Sequence, residues 1–355
     1  MFTHHGNVKE YILRPLIAAI IGLLVGGLFV LLTGNSPIEA FQVLLRAGYG
    51  CESGSNCAVL TTLQYATPLI LVGLSSAVAF RAGLFSIGQM GQMALGAAAS
   101  NWIASRFSLP PVIHPTVALL AAVLFGMVYA ILPAILKLHF NINEILSTIL
   151  LNYIAVYLIG FIPSGYGHWI PESARLPSLT PTTKLNLGFF LALLILALSL
   201  IWLYRTATGY EVRMSGDNAI FSKYGGIKAR RAIYVGMLIS GALAGLTGGI
   251  EILGVHFRFV SNFTGSDVFD GVMVALLGFC HPIGILFSSF ILGGVRLAAM
   301  TGLSIQLGIP RSIGGMIVST MVIVMSSDGV YTKLREWFLS SVNQLKFSIQ
   351  KKKPS

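Results

Sequence analysis

The chain has 355 residues, 55% of them hydrophobic and only 10% charged, with a formal net charge of +11 and a mean hydropathy of +0.81. Soluble domains carry about 25% charged residues, so this composition excludes a water-soluble globular protein and points to a chain embedded in lipid. The positive balance is therefore read first as a topology signal, and the aromatic–basic interleaving that binds single-stranded nucleic acid is absent.

Taken in order, the apolar runs predict an all-α polytopic membrane protein with about ten transmembrane helices, the shorter ones packed inside the bundle. The first covers residues 15–33, after Lys9 and Arg14, and is long enough to be an anchor rather than a cleavable signal peptide. Residues 34–61 form a loop whose amphipathic piece, 37–48, is expected to lie flat at the interface. Cys51 and Cys57 share this loop, as either a disulfide pair or two free thiols. The second span is 62–80, ending at Arg81. The third, 84–104, is rich in Gly, Gln and Met. The fourth is 116–136, ending at Lys137, and the fifth is 144–162. A proline-bearing polar loop leads to the sixth, 187–204. The seventh is 232–253, and the short eighth, 268–280, is cut by His281-Pro282. The ninth is 283–302 and the tenth 313–327.

Between the sixth and seventh spans lies the polar stretch 205–231, which holds Arg205, Arg213, Lys223, Lys228, Arg230 and Arg231. It contains the outline of a short helix: Asp217 or Asn218 as N-cap, Ala219–Tyr224 as the body, and Gly225-Gly226 ending it in the left-handed conformation. Ile220, Phe221 and Tyr224 fall along one side of that helix, an apolar face that a merely solvated loop does not need. The stretch is read as a docking surface for a cytoplasmic partner.

Of the 23 Lys/Arg, one side of this arrangement carries only Arg46, Arg106, Arg175, Lys184, Arg258 and Arg311, and Arg296 lies inside a span. All the others lie on the side with both termini and the 205–231 loop, including the basic tail 328–355. That side is predicted to be cytoplasmic. The loop with Cys51 and Cys57 then faces the opposite, disulfide-permissive side.

The chain lacks a G-x-x-x-x-G-K-[ST] phosphate loop, an H-E-x-x-H pair and a G-x-S-x-G elbow. Its three cysteines do not have metal-site spacing. No enzyme site, cofactor or metal is expected. Intramembrane polar residues are costly, so each requires a reason. Gln89 and Gln92 lie one turn apart in the third span, Asn152 and Tyr153 deep in the fifth. Glu251 is near the outer end of the seventh, Asp270 at the start of the eighth, and Arg296 inside the ninth, where it can pair with an aspartate. These are candidate linings of a path for a hydrophilic solute, set against packing and structural ion pairing.

The blocks FRAGLFSIGQMGQMALGA, NEILSTILLNYIA, TGYEVRMSGDNAIFSKYGGI and FTGSDVFDGVMVALLG occur in that order. Together they resemble the permease subunits of bacterial ABC importers for nucleosides and simple sugars, within the branched-chain-amino-acid/ribose permease superfamily, over residues 60–327. The resemblance implies a type II-like permease of the bacterial inner (plasma) membrane, both termini cytoplasmic. It implies a second permease subunit, a separate cytoplasmic ABC ATPase subunit and an extracytoplasmic solute-binding lipoprotein as partners. The family's coupling segment maps onto Gly209, Arg213, Gly216, Asn218, Tyr224, Gly225 and Ile227. Relatives usually carry a glutamate where this chain has Met90, and an asparagine where it has Ser86. A contrasting class, an ion-coupled secondary transporter, would use Glu251, Asp270 and Arg296 as a relay. A scaffold would use the basic loop for binding only.

Overall fold

The computed structural model describes residues 8–32, 34–51, 57–161, 169–259, 265–310 and 312–326. The basic tail 328–355 lies outside them. Within them the chain is helical, and β-structure is confined to the isolated bridges Cys51–Cys57 and Ser178–Asn186.

The elements are α1 (Val8–Leu32), α2 (Pro37–Tyr49), α3 (Ala58–Arg81), α4 (Gln89–Arg106), α5 (Ile113–Phe140), α6 (Glu144–Ile159), α7 (Gly188–Arg205), α8 (Ala207–Asp217), α9 (Ala219–Tyr224), α10 (Ala229–Glu251), α11 (Gly265–Leu277), α12 (Pro282–Leu297), α13 (Ser304–Gln306) and α14 (Ser312–Ser326). A π-helical turn over Ile252–His256 extends α10, and another over Ala298–Leu303 joins α12 to α13. Among the described residues, five stretches are long and apolar enough to cross a membrane: Ala58–Arg81, Ile113–Phe140, Gly188–Arg205, Ala229–His256 and Pro282–Gln306. Leu16–Leu32, Glu144–Ile159 and Val268–Leu277 are shorter apolar helices.

Burial separates centre from perimeter. The apolar window of α3 is 83% buried and that of α10 67%, whereas α7 buries only 28% of its window and exposes Phe190, Leu194, Leu198 and Ile201. In lipid, leucines gain nothing by leaving the bilayer, so the central helices associate through small residues that bring backbones together. A side chain added at Gly245 of α10 would overlap the Ala122 carbonyl of α5, and one at Gly96 of α4 would meet the Gly245 backbone. Glycine at these positions lets α4, α5 and α10 cross at backbone contact. On the other side of α10, the Ser75 hydroxyl of α3 donates to the Ser240 carbonyl at 2.7 Å.

The amphipathic stretch after α1 is helical, but its small-residue face is covered by protein. Ala40, Leu44 and Gly48 of α2 are buried, Gly48 lies against the Gly294 backbone of α12, and the Tyr49 hydroxyl donates to the Ile291 carbonyl at 3.0 Å. The α11 helix has 13 residues, which at helical rise is about 20 Å, short of a hydrocarbon core of about 30 Å. It turns into α12 through Phe279 and Cys280, both left-handed (φ 54° and 51°), with His281 as the N-cap.

Candidate functional site

The chain approaches α4 as a non-helical segment, 84–87, whose Leu84 amide donates back to the Ala79 carbonyl of α3 and whose Ile87 backbone groups need other partners. Helix α6 supplies them. The Asn152 side chain donates to the Ile87 carbonyl at 2.8 Å and accepts from the Gly91 amide at 2.8 Å, while Thr148 Oγ1 accepts from the Ile87 amide at 3.3 Å. Ser86, buried in the same segment, accepts from the Gly88 amide. Both ends of the Asn152 amide are thus engaged in fixing where α4 begins.

Gln89 opens α4 and is fully buried, yet neither atom of its amide has a hydrogen-bond partner among the described residues. Gln92, one turn on and also buried, has an unpartnered Oε1. An unpaired amide in a dry interior costs about 1–3 kcal/mol or more, so these groups are polar sites awaiting a partner. Met90 beside them packs on Val72, Met93 and Val268, an apolar junction of α3, α4 and α11. An ionised glutamate at that position would meet hydrocarbon there.

The other interior candidates are dispersed. Tyr153, next in chain to Asn152, is on the outward side of α6 and 62% exposed. Asp270 and Arg296 pair across α11 and α12 at 3.1 Å, and the guanidinium lies over the Tyr65 ring. Glu251 is buried and faces His256 Nε2 at 3.6 Å, the partner the π-helical turn brings back over it. The Leu253 carbonyl in that turn accepts from the Leu176 amide of the preceding loop at 2.9 Å.

The polar stretch 205–231 is two helices rather than a loop with one. Thr206 caps α8, accepting from the Gly209 amide, and a side chain at Gly209 would overlap the Trp202 carbonyl at the end of α7. Arg213 Nε donates to the Leu203 carbonyl at 3.0 Å, and its guanidinium lies 4.8 Å over the Tyr204 ring. Gly216 crosses the end of α3 against Arg81 and Gly83. Asn218 is the cap of α9: its Oδ1 accepts from the Ile220 amide at 3.1 Å and the Phe221 amide at 2.9 Å. The Gly225 amide donates to Phe221 O, Ile227 N donates to Ser222 O, and the left-handed residue is Gly226 (φ 78°), with Gly225 on the right-handed side (φ −76°). Ile220, Phe221 and Tyr224 project outward, 73%, 67% and 89% exposed.

Sequence reasoning missed the junction beneath this module. Buried Arg81 donates to the Phe279 carbonyl at 3.2 Å and to that of Cys280, and the His281 ring lies tilted against that of Tyr204, centroids 5.1 Å apart. Burial, reinforced by the Arg81 charge, pushes the His281 imidazole down to about 4, which keeps it neutral so that Nδ1 accepts from the Ile283 amide. The available signal was His-Pro at a helix start. Through Arg213, Tyr204, His281 and Arg81, the ends of α3 and α7 are tied to α8 and to the α11–α12 turn.

At the other end of the chain's helices, Cys51 and Cys57 are disulfide-bonded across their bridge.

Residues 58–326 match the family described as branched-chain amino acid transport system / permease component. The guanosine ABC transporter permease protein NupP of Bacillus subtilis is 35% identical over 90% of this chain and 94% of its own length. The nucleoside ABC transporter permease protein NupB of Lactococcus lactis is 32% identical over 89% and 91%. The glucose ABC transporter permease protein TsgB13 of Haloferax volcanii is 27% identical over 90% and 88%. With a helical bundle, unpartnered interior amides and an outward-facing short helix all within the matched region, the chain belongs to the permease family of the branched-chain amino acid transport systems.

Proposed function

We propose that this chain is the membrane-spanning permease subunit of an importer for nucleosides, energised by separate ABC ATPase subunits. It works beside a second permease subunit in the bacterial inner membrane and receives solute from an extracytoplasmic binding lipoprotein. The observation that carries the reading is the apolar face of α9: Ile220, Phe221 and Tyr224 are exposed on a capped helix that offers them to another protein. The nucleoside assignment is supported by the guanosine and nucleoside permeases at 35% and 32% identity over about 90% of the chain.

In this mechanism the chain has about ten spans, with both termini, the 205–231 loop and the 328–355 tail cytoplasmic. Gly209, Arg213, Gly216 and Ile227 hold the coupling module on the bundle, Asn218 and Gly225 bound its short helix, and the three outward side chains take the ATPase. Nucleotide-driven movement of α9 reaches the α11–α12 turn through Tyr204 and His281, and the bundle changes which side its path opens to. A ligand shifts such an equilibrium only by its differential affinity for the two states. Gln89 and Gln92 supply hydrogen bonds to ribose hydroxyls or base edges. Asn152 sets the position of the helix that carries them, and Tyr153 belongs to the outward side of that path, toward the second subunit. Asp270–Arg296 and Glu251 polarise the wall. Met90 in place of the family glutamate shifts selectivity among nucleosides. Cys51–Cys57 staples the loop that meets the binding lipoprotein.

The test is reconstitution of the chain with its second permease subunit, its ATPase and its binding lipoprotein in proteoliposomes. ATP-dependent uptake of labelled guanosine, out-competing ribose and glucose, is expected. Preference for a free sugar would overturn the solute, and uptake that persists without any ATPase would overturn the class in favour of ion coupling through Glu251, Asp270 and Arg296.

A further inference from the structure

A polar recess lies away from the interior amides, where four helix ends meet. Its volume is about 590 Å³, and it is walled by the elbow after α3, the C-terminal turn of α5, the α8–α9 joint and the first turn of α10. Its polar lining is Lys137, His139, Asn141, Ser215 and Arg230. The floor is backbone. A side chain at Gly216 would overlap the Arg81 carbonyl, and Gly83 sits left-handed (φ 84°) directly against Gly216. Only glycine at this crossing keeps α8 close to α3 while leaving the recess open beside it.

Three observations identify the ligand chemistry. First, Ser215 lines the recess and is 4% exposed, and its buried hydroxyl has no hydrogen-bond partner among the described residues. A buried hydroxyl left so costs free energy unless a ligand or water completes it. Second, the charge is positive and only partly compensated. Lys137 is paired with Glu144 at 2.7 Å, but Arg230 has no ion-pair partner among the described residues. Guanidinium, imidazole, amide and hydroxyl donors around one space fit a phosphate. Third, the rim is apolar. Phe140, the last residue of α5, and Ile142, in the loop after it, flank the lining residue Asn141 and are both exposed. A soluble phosphate has no use for that rim, but an acyl chain does. The depth also fits, because Lys137 ends the 28-residue apolar α5 and Arg230 begins α10, where lipid headgroups lie.

We propose that this recess binds the phosphate headgroup of an anionic phospholipid from the adjoining leaflet, with Arg230 and Ser215 on the phosphate and the acyl chains along Phe140 and Ile142. A lipid held there touches α3, α5, α8 and α10 at once. It therefore braces the base of the coupling module against the bundle.

Native mass spectrometry of the full-length chain, titrated with phosphatidylglycerol or phosphatidylcholine, tests this. The unaltered chain is expected to bind its first phosphatidylglycerol in preference to phosphatidylcholine. Arg230→Gln should weaken phosphatidylglycerol by roughly fivefold, the effect of one basic residue at a lipid surface, and Ser215→Ala should weaken it further. Arg231→Gln, an exposed neighbour outside the lining, should leave the preference intact. Equal loss in Arg231→Gln would mean unspecific surface charge and would overturn the site. Displacement of phosphatidylglycerol by inorganic phosphate, with phosphate itself retained by the chain, would overturn the lipid reading in favour of a free-anion site. An unchanged preference in the Arg230→Gln, Ser215→Ala double variant would overturn both. Arg230 is exposed and the Ser215 hydroxyl has no hydrogen bond to lose among the described residues, so neither change threatens the fold.

Discussion

Gln89 sets stability and transport against each other. Its amide is buried without a partner among the described residues, so Gln89→Leu should raise the unfolding free energy by about 1–3 kcal/mol, the penalty of an unmade buried bond. The same change removes a hydrogen bond offered to solute and should lower uptake roughly tenfold. Thermal unfolding and proteoliposome uptake, measured on one preparation, check both. A variant that is stabilised and transports normally would assign the glutamine to packing. His281 gives a second residue-scale prediction. Its imidazole is held neutral, with a pKa lowered from 6.5 to about 4 by burial and Arg81. The unfolded chain therefore binds its proton first as pH falls, and stability from this site is full above 6.5 and lost on the way down to about 4. His281→Gln retains a cap acceptor but does not titrate, so its melting temperature should fall less steeply across that window than that of the unaltered chain. Parallel pH profiles for the two proteins would exclude the imidazole as the source.

At the scale of elements, α9 was legible because its signals are local: an asparagine cap, six residues and a glycine pair that ends it. Gly225→Pro removes the amide that donates to Phe221 O and clashes with the preceding turn. It should abolish ATP-driven uptake while the chain still inserts and dimerises. Phe221→Ala, which leaves the helix intact, should weaken ATPase co-purification without altering the melting temperature. Normal coupling in both would remove α9 from the interface. Helix α8 was not legible, because its buried face is Gly209, Val212 and Ser215 and carries no apolar stripe that periodicity detects. The onset of α4 was read too early for a related reason. Leu84, Phe85 and Ile87 are apolar, but Asn152 and Thr148 of α6 hold Ile87 outside the helix, and no local pattern encodes a partner some sixty positions away. The face of α2 illustrates the same limit. Its amphipathicity is local, whereas the Gly294 and Gly302 surfaces that cover it belong to the far end of the chain.

At the scale of the molecule, the long apolar helices were legible from hydropathy, while the dispersal of the interior charges was not. Sidedness can be tested with the chain's own landmarks. Cys51 and Cys57 form a disulfide, and Cys280 is buried, so the unaltered oxidised protein should resist a membrane-impermeant maleimide from either side. Tyr224→Cys places a thiol at a position 89% exposed on α9. It should label only in inverted vesicles, in which the cytoplasmic face is outward. After reduction, Cys51 and Cys57 should label only in right-side-out cells. An even number of crossings between the Cys57 loop and α9 would put both labels on the same side, and the positive-inside assignment of the central loop would then fail. Labelling from opposite sides requires an odd number, which the run from α3 to α7 supplies if α4 and α6 both cross or if neither does. Neither helix is among the five stretches that qualify by length and hydropathy. The experiment therefore measures whether these two helices, too polar or too short to span alone, share one fate, because a single one of them crossing would bring both labels to the same side.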